Sequence, residues 1–230
     1  MAMPQMLGVE IPIKIRLLLS MLLAAALMPD TTVISMPGNG LLPCAILVLR
    51  EIAIGVLLAF VTALVVGAVL MAGDLFGTSM ELNSGGILRG TAPTPNVLAD
   101  GLGTLAGLIF FIGGFHRALL IGLKRSLDVI PLGRFTFPQV EVLIAAAGRL
   151  FTIALELALP LMVPLLIITL AQGVIVRLAP QVNVLIAAPA AIVLAGLVLL
   201  GLDSIGLAWG ITRAWSSMTG QALALINGRA

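Results

Sequence analysis

Two long stretches without a charged side chain restrict what this chain can fold into. Ile52 to Gly73 comprises 22 uncharged residues and Val182 to Leu202 comprises 21. As an α-helix the first would be about 33 Å long, which is enough to cross the hydrocarbon core of a bilayer. Over the whole chain 60% of the residues are hydrophobic and 10% are charged, whereas soluble domains carry about 25% charged residues. We therefore exclude a water-soluble domain and predict an all-α polytopic membrane protein.

The remaining apolar segments bring the prediction to about six hydrophobic helical segments and no strand. Leu17 to Met28 is short for a membrane span, and because Lys14 and Arg16 precede it, it could also be the hydrophobic part of a signal peptide. Residues 74–100 carry charges, adjacent glycines and two prolines, which predicts a long irregular loop. No internal repeat or linker divides the chain, so residues 1–230 are predicted to form one domain.

Residues that most catalytic and metal sites require are nearly missing. The chain has one histidine, His116, and one cysteine, Cys44, which excludes an intrachain disulfide and any site built from several His or Cys ligands. Phosphate-binding GxxxxGK[ST] and nucleophilic GxSxG motifs do not occur. A net charge of +2 provides no basic face for a nucleic acid. We predict no metal, no cofactor and no enzymatic activity, and we interpret His116 as an interfacial or capping residue.

Four ionisable residues lie in or beside apolar runs, where a charge is costly unless it faces the interior of a helix bundle. They are Glu51, Arg149, Glu156 and Arg177. On a helix, Arg149 and Glu156 are seven residues apart and so lie near the same face. Two explanations stay open here: structural pairing, which we favour, and a polar conduit lined by Glu51, Arg149 and Glu156.

Glycine spacing and the lack of tyrosine indicate that protein rather than lipid surrounds part of the chain. Three glycine pairs have the four-residue spacing that lets helix backbones approach closely: Gly73–Gly77, Gly103–Gly107 and Gly206–Gly210. With 25 glycines in the chain such pairs also arise by chance. Membrane proteins usually place Trp and Tyr at both interfaces, but this chain has two tryptophans and no tyrosine.

Five motifs occur in order along the chain: Arg50 to Gly55, Ala72 to Gly77, Phe110 to Gly133, Ala158 to Pro160 and Val176 to Val184. Their order and spacing resemble those of the bacterial type III export apparatus family of flagella and injectisomes. Val176 to Val184 reads V-R-L-A-P-Q-V-N-V and is similar to the family's R-x-A-P-Q-x-N segment. Arg50 to Gly55 resembles the entry to its second helix, and Ala72 to Gly77 the motif that ends that hydrophobic block. Phe110 to Gly133 is similar to its LF-x5-H-x9-S-x4-P-L-G stretch, and Ala158 to Pro160 to the ALP of its proline-bent helix.

The resemblance implies a fold of helical hairpins and a role in protein export. Members of the family form one subunit of a spiral export gate, together with several copies of two smaller membrane subunits and a switch-associated subunit. The gate would lie in the bacterial inner membrane, at a flagellar basal body or injectisome base. Unfolded export substrates would cross the membrane through its channel. Pro131 to Gly133 favours the flagellar branch over the injectisome.

The sequence departs from the family pattern in two places. Family members usually begin with one more hydrophobic helix, so we expect that the first helix of the family is missing from this chain. Leu17 to Met28 would then be an internal helix rather than a signal peptide. The second departure is in Met80 to Pro95, where flagellar members tend to carry Asp-Pro and this chain reads G-I-L-R-G-T-A-P from Gly86 to Pro93.

By position, residues 78–97 correspond to the family's channel loop. Glycines there would permit displacement and apolar side chains would supply a stopper. The predicted plug residues are Met80, Leu82, Gly85, Gly86, Ile87, Leu88, Arg89 and Gly90. On composition alone the segment could also be an ordinary surface loop.

A second set of residues is predicted to have a structural role. Pro180 lacks a backbone N–H, and the amide side chains beside it can bond the backbone groups that a helix break exposes. Pro160 should bend the helix in which it lies. The predicted set is Arg177, Ala179, Pro180, Gln181, Asn183 and Pro160.

The competing prediction is a small-solute or ion-coupled membrane transporter. In such a protein the charged residues near proline-broken helices would bind substrate or protons. The two predictions differ in self-sufficiency. A gate subunit should be unstable without its heteromeric partners, whereas a transporter should be stable as a monomer or homo-oligomer.

Overall fold

The computed structural model describes residues 12–27, 41–80, 96–129, 140–178 and 184–226. Within these ranges the chain forms seven α-helices and no β-strand. In chain order the helices are α1 (Ile13–Leu27), α2 (Leu41–Ser79), α3 (Val97–Ile112), α4 (Phe115–Val129), α5 (Val140–Leu178), α6 (Val184–Leu202) and α7 (Ser204–Ile226). The predicted all-α fold is confirmed.

Two helices are long and apolar enough to cross a membrane, judged by length and composition. The qualifying segments are Thr62–Ser79 in α2 and Ile144–Ile175 in α5. Two pairs of consecutive helices would each count as one bent span, with an angle of 58° between α3 and α4 and of 63° between α6 and α7. The described part of the chain therefore contains two to four candidate spans, as expected for a polytopic membrane protein.

The prediction of an irregular loop over residues 74–100 is wrong at both ends of this range. Helix α2 continues to Ser79, and α3 begins at Val97. The polar residues at the end of α2 do not interrupt it, because their hydroxyl groups bond to the preceding turn. Thr78 Oγ1 donates to the carbonyl oxygen of Asp74 at 2.9 Å, and Ser79 Oγ donates to that of Leu75 at 2.8 Å.

Helix α5 extends over 39 residues and continues through both Pro160 and Pro164. Proline removes one backbone hydrogen bond from a helix interior, yet the flanking apolar turns of α5 pack into the core. Ala154, Leu157, Leu161 and Leu165 are all buried on one face of this helix. These buried residues lie before, between and after the two prolines. Tertiary contacts of this kind supply most of the stability of helices in proteins.

The core lies between the C-terminal half of α2 and helices α3, α5 and α7. Trp215 of α7 is at its centre, with 1% of its surface exposed. Its indole Nε1 donates a hydrogen bond to the carbonyl oxygen of Ala106 in α3 at 3.1 Å, and its ring centroid is 4.6 Å from that of Phe110. The hydrogen bond and the aromatic contact fix the rotation of α7 against α3.

Outside this core, much of the apolar surface is exposed. In α1 the exposed side chains include Ile13 and Met21, at 72% and 74%. In α5, Leu166 and Leu170 are exposed at 60% and 64%. Contiguous apolar surface of this extent marks contact with lipid or with other proteins.

Candidate functional site

Asn96 joins the two helices that flank the predicted channel loop. It immediately precedes α3, where its side-chain oxygen accepts a hydrogen bond from the backbone N–H of Leu98 at 3.1 Å and so caps the helix. Its Nδ2 donates to the carbonyl oxygen of Gly73 in α2 at 3.1 Å. The side chain is buried, with 6% exposed. One residue therefore caps the helix that follows the loop and binds the helix that precedes it.

Glycines make this contact possible because α2 and α3 approach each other at backbone distance. A Cβ atom added to Gly73 would lie 2.5 Å from the Cα of Ala99, and one added to Gly77 would overlap the side-chain amide of Asn96. The predicted close packing at Gly73–Gly77 is thus confirmed. We call the contact of Asn96 and Ala99 with Gly73 and Gly77 the loop clamp.

Met80 is the one predicted plug residue that lies within the described part of the chain. Its side chain is fully buried and packs against Gly196 of α6. A Cβ atom added to Gly196 would lie only 2.5 Å from the Cε atom of Met80. The other predicted plug residues, Leu82 to Gly90, lie outside the described residues.

The predicted structural motif is described only in part. Helix α5 ends at Leu178 and α6 begins at Val184, so the predicted break falls between two helices. Arg177 is exposed in the last turn of α5, and Pro160 lies inside that helix. Ala179, Pro180, Gln181 and Asn183 lie outside the described residues.

A charged cleft of about 630 Å³ lies between α5 and α7. Arg149 and Glu156 line it, as expected for residues on one face of α5. Two residues from the other side complete the set of charges: Asp203, at the junction of α6 and α7, and Arg213 of α7. Two guanidinium groups and two carboxylates thus line one cleft, and their formal charges sum to zero. Glu51 is not among the lining residues.

His116 lies in an aromatic cluster rather than beside polar groups. Its ring centroid is 5.4 Å from that of Phe111 and 6.2 Å from that of Phe110. Its Nδ1 is buried and has no hydrogen-bond partner among the described residues. A general base is normally held by a hydrogen bond to its second ring nitrogen, so this environment favours packing among aromatic rings over a catalytic role. The predicted interfacial or capping role stays a prediction.

Sequence patterns missed Asn96, Gly196, Asp203 and Arg213. Asn96 could have been found, because an asparagine directly before an apolar run is a typical helix N-cap. Asp203 and Arg213 line the same cleft as Arg149 and Glu156 because α7 packs against α5. No local pattern predicts that packing.

The described residues, all helical outside the turns and with two to four candidate spans, define a polytopic membrane protein. The family model of bacterial export proteins, family 1, matches residues 1–218. The chain belongs to this family.

Similar proteins place the chain in the flagellar branch. It is 31% identical to flagellar biosynthetic protein FliR of Pectobacterium carotovorum subsp. carotovorum over 202 residues, which cover 85% of this chain and 74% of that protein. FliR of Aquifex aeolicus is 28% identical over 179 residues, which cover 76% of this chain and 68% of that protein. FliR of Caulobacter vibrioides is 26% identical over 217 residues, 90% of this chain and 84% of that protein. The chain is a subunit of the flagellar type III export gate, and the transporter alternative is not favoured.

Proposed function

We propose that this chain forms part of the channel through which unfolded proteins cross the bacterial inner membrane, with residues 81–95 closing it at rest. The observation that carries the proposal is the loop clamp. Because Asn96 bonds to Gly73, the helices that precede and follow the segment are held against each other. A channel closure needs a rigid base of this kind.

Composition supports the closing role. The segment between Met80 and Asn96 contains the adjacent glycines Gly85 and Gly86, and Gly90 follows four residues later. Glycine lowers the energetic cost of changing the backbone conformation. Apolar residues Leu82, Ile87 and Leu88 lie among them, and apolar constrictions exclude water and ions from pores.

We propose further that the partners are two smaller membrane subunits and a switch-associated subunit of the export apparatus. The exposed apolar face of α1 supports this part of the proposal, since it would be covered on assembly. The role is structural and involves no chemical reaction. Native mass spectrometry of the C-terminally tagged chain co-expressed with its neighbouring genes should detect one copy with several smaller subunits; a stable monomer or homodimer would contradict this.

Deleting Gly85 to Gly90 tests the closing role. The deletion removes the glycine-rich part of the segment and leaves Asn96, Gly73 and Gly77 in place, so we expect normal assembly and a channel that leaks ions and small solutes. The measurement is ion conductance, or solute uptake, of cells expressing the assembled gate. Replacing the same six residues with a Gly/Ser sequence of equal length is the matched control for length. An intact permeability barrier in an assembled deletion variant would refute the closing role.

The polar conduit remains a separate prediction. It requires that Arg149→Ala or Glu156→Ala abolishes export while the abundance of the protein stays normal. Arg149 and Glu156 line one cleft and Glu51 does not, so a conduit formed by all three would need a further contact in the assembled gate.

A further inference from the structure

The charged cleft between α5 and α7 is unusual for its surroundings. Arg149 and Glu156 belong to the apolar candidate span Ile144–Ile175, and both side chains are exposed on the described chain. Charges inside apolar spans are costly unless they are paired or bound by a ligand. An occupant that carries charges of both signs would pair with all four of the cleft's charged side chains.

The charges specify the chemistry of that occupant. Arg149 and Arg213 provide two guanidinium groups, which bind phosphate oxygens through paired N–H donors. Glu156 and Asp203 provide two carboxylates, which accept hydrogen bonds from an ammonium group. A ligand with one phosphate and one ammonium group would match both pairs and leave no net charge buried.

The surface beside the cleft is apolar. Leu155, next to Glu156 in sequence, begins a stripe that continues with Leu159 and Leu166, and all three side chains are exposed. On the opposite side, Ile205 and Trp209 of α7 are exposed at 77% and 68%, and Trp209 also lines the cleft. Tryptophan is enriched where polar headgroups meet hydrocarbon.

We propose that this cleft binds a zwitterionic glycerophospholipid of the phosphatidylethanolamine class, with its phosphate between Arg149 and Arg213 and its ammonium group at Glu156 and Asp203. Its acyl chains lie along the leucine stripe of α5. The cleft volume of about 630 Å³ falls in the range of small-molecule sites, roughly 300 to 1,000 Å³. A single lipid molecule satisfies the charged cleft and covers the adjoining apolar stripe. The proposal does not depend on the channel loop.

Lipid binding is measured on the full chain in its co-expressed complex, extracted in mild detergent and depleted of lipid. Phosphatidylethanolamine, phosphatidylglycerol and glycerophosphoethanolamine are added back separately, and bound molecules are counted by native mass spectrometry. We expect phosphatidylethanolamine to bind best, since phosphatidylglycerol lacks the ammonium group and glycerophosphoethanolamine lacks the chains. Equal retention of phosphatidylglycerol would overturn the proposal.

Arg149→Gln with Arg213→Gln removes both phosphate donors at nearly constant size. We expect binding to weaken at least about tenfold, the loss expected for charge-assisted hydrogen bonds. Arg117→Gln, an exposed arginine of α4 outside the cleft, is the matched control and should bind lipid like the parent. Undiminished binding by the double variant would overturn the assignment.

Glu156→Gln gives a second test that does not depend on how well the arginine variant assembles. It should reduce the preference for phosphatidylethanolamine over phosphatidylglycerol while phosphate binding persists. An unchanged preference would contradict the placement of the ammonium group. A photo-crosslinking residue at Trp209 should capture lipid; capture of a partner subunit instead would show that protein fills the cleft.

Discussion

Removing the side chain of Asn96 should open the base of the channel loop. Asn96→Ala deletes the N-cap of α3, which costs about 1 kcal/mol, and the hydrogen bond to the carbonyl oxygen of Gly73 at 3.1 Å, which contributes about 1 kcal/mol net. The Gly73 carbonyl lies inside α2 and keeps its helical hydrogen bond, so no larger desolvation penalty is added. The sum is about 2 kcal/mol, or roughly a 30-fold increase in the population with the clamp open.

A buried cysteine can report that population. Cys44 is exposed, so it is first replaced by serine to give a background without reactive thiols. Met80→Cys then places a thiol at a fully buried position at the start of the loop, and the change removes atoms rather than adding them. When opening is fast, the rate of maleimide labelling in the detergent-solubilised complex is proportional to the open population.

Asn96→Ser separates the two contributions. Serine is as good an N-cap as asparagine but has no amide group with which to bind Gly73. We expect about a 30-fold faster labelling for Asn96→Ala and about fivefold for Asn96→Ser, the factor expected for one hydrogen bond of about 1 kcal/mol. Labelling of Asn96→Ala at the parental rate would refute the clamp, and equal acceleration by both variants would show that only the inter-helix bond matters.

Three further perturbations test the packing around the site. Gly73→Ala puts a methyl group 2.5 Å from the backbone of Ala99 and should destabilise the chain by about 1 to 3 kcal/mol. The control Gly101→Ala, in open space on α3, should stabilise the chain by about 0.5 kcal/mol. Thermal unfolding of the complex measures both effects, and equal shifts of the two unfolding temperatures would be inconsistent with the close approach of α2 and α3. Trp215→Phe removes the hydrogen bond to Ala106 and should lower stability by at least about 1 kcal/mol, while Trp209→Phe, at an exposed site, should change it little in the same assay. Pro180→Ala should reduce the yield of assembled gate on native gels before it alters which substrates are exported; full assembly with altered specificity would argue against a structural role.

How far the sequence predicts this fold depends on the range of the interaction. The apolar runs within α2 and α6 were predictable, since an uncharged stretch of spanning length has few alternatives to a helix. The end of α2 was not, because Thr78 and Ser79 are typical loop residues that bond here to the preceding turn of the helix. Their local preference was overridden by tertiary contacts of Phe76 and Met80, both fully buried.

The two candidate sites show the same division. Arg149 and Glu156 could be placed on one helix face from their spacing alone. Their meeting with Asp203 and Arg213 could not, because it depends on how α5 and α7 pack. Asn96 carried a recognisable cap pattern, but its bond to Gly73 joins residues 23 positions apart.

The loop clamp also separates the length of the channel loop from the stability of the helices. For a flexible segment the entropic cost of joining its ends rises only with the logarithm of its length, about 0.6 kcal/mol for each doubling. Since the bond between Asn96 and Gly73 holds α2 and α3 together, residues can be added or exchanged between Met80 and Asn96 at little thermodynamic cost to the two helices. Mutation can thus adjust the width and the chemistry of the proposed channel closure while the helix bundle that carries it stays unchanged.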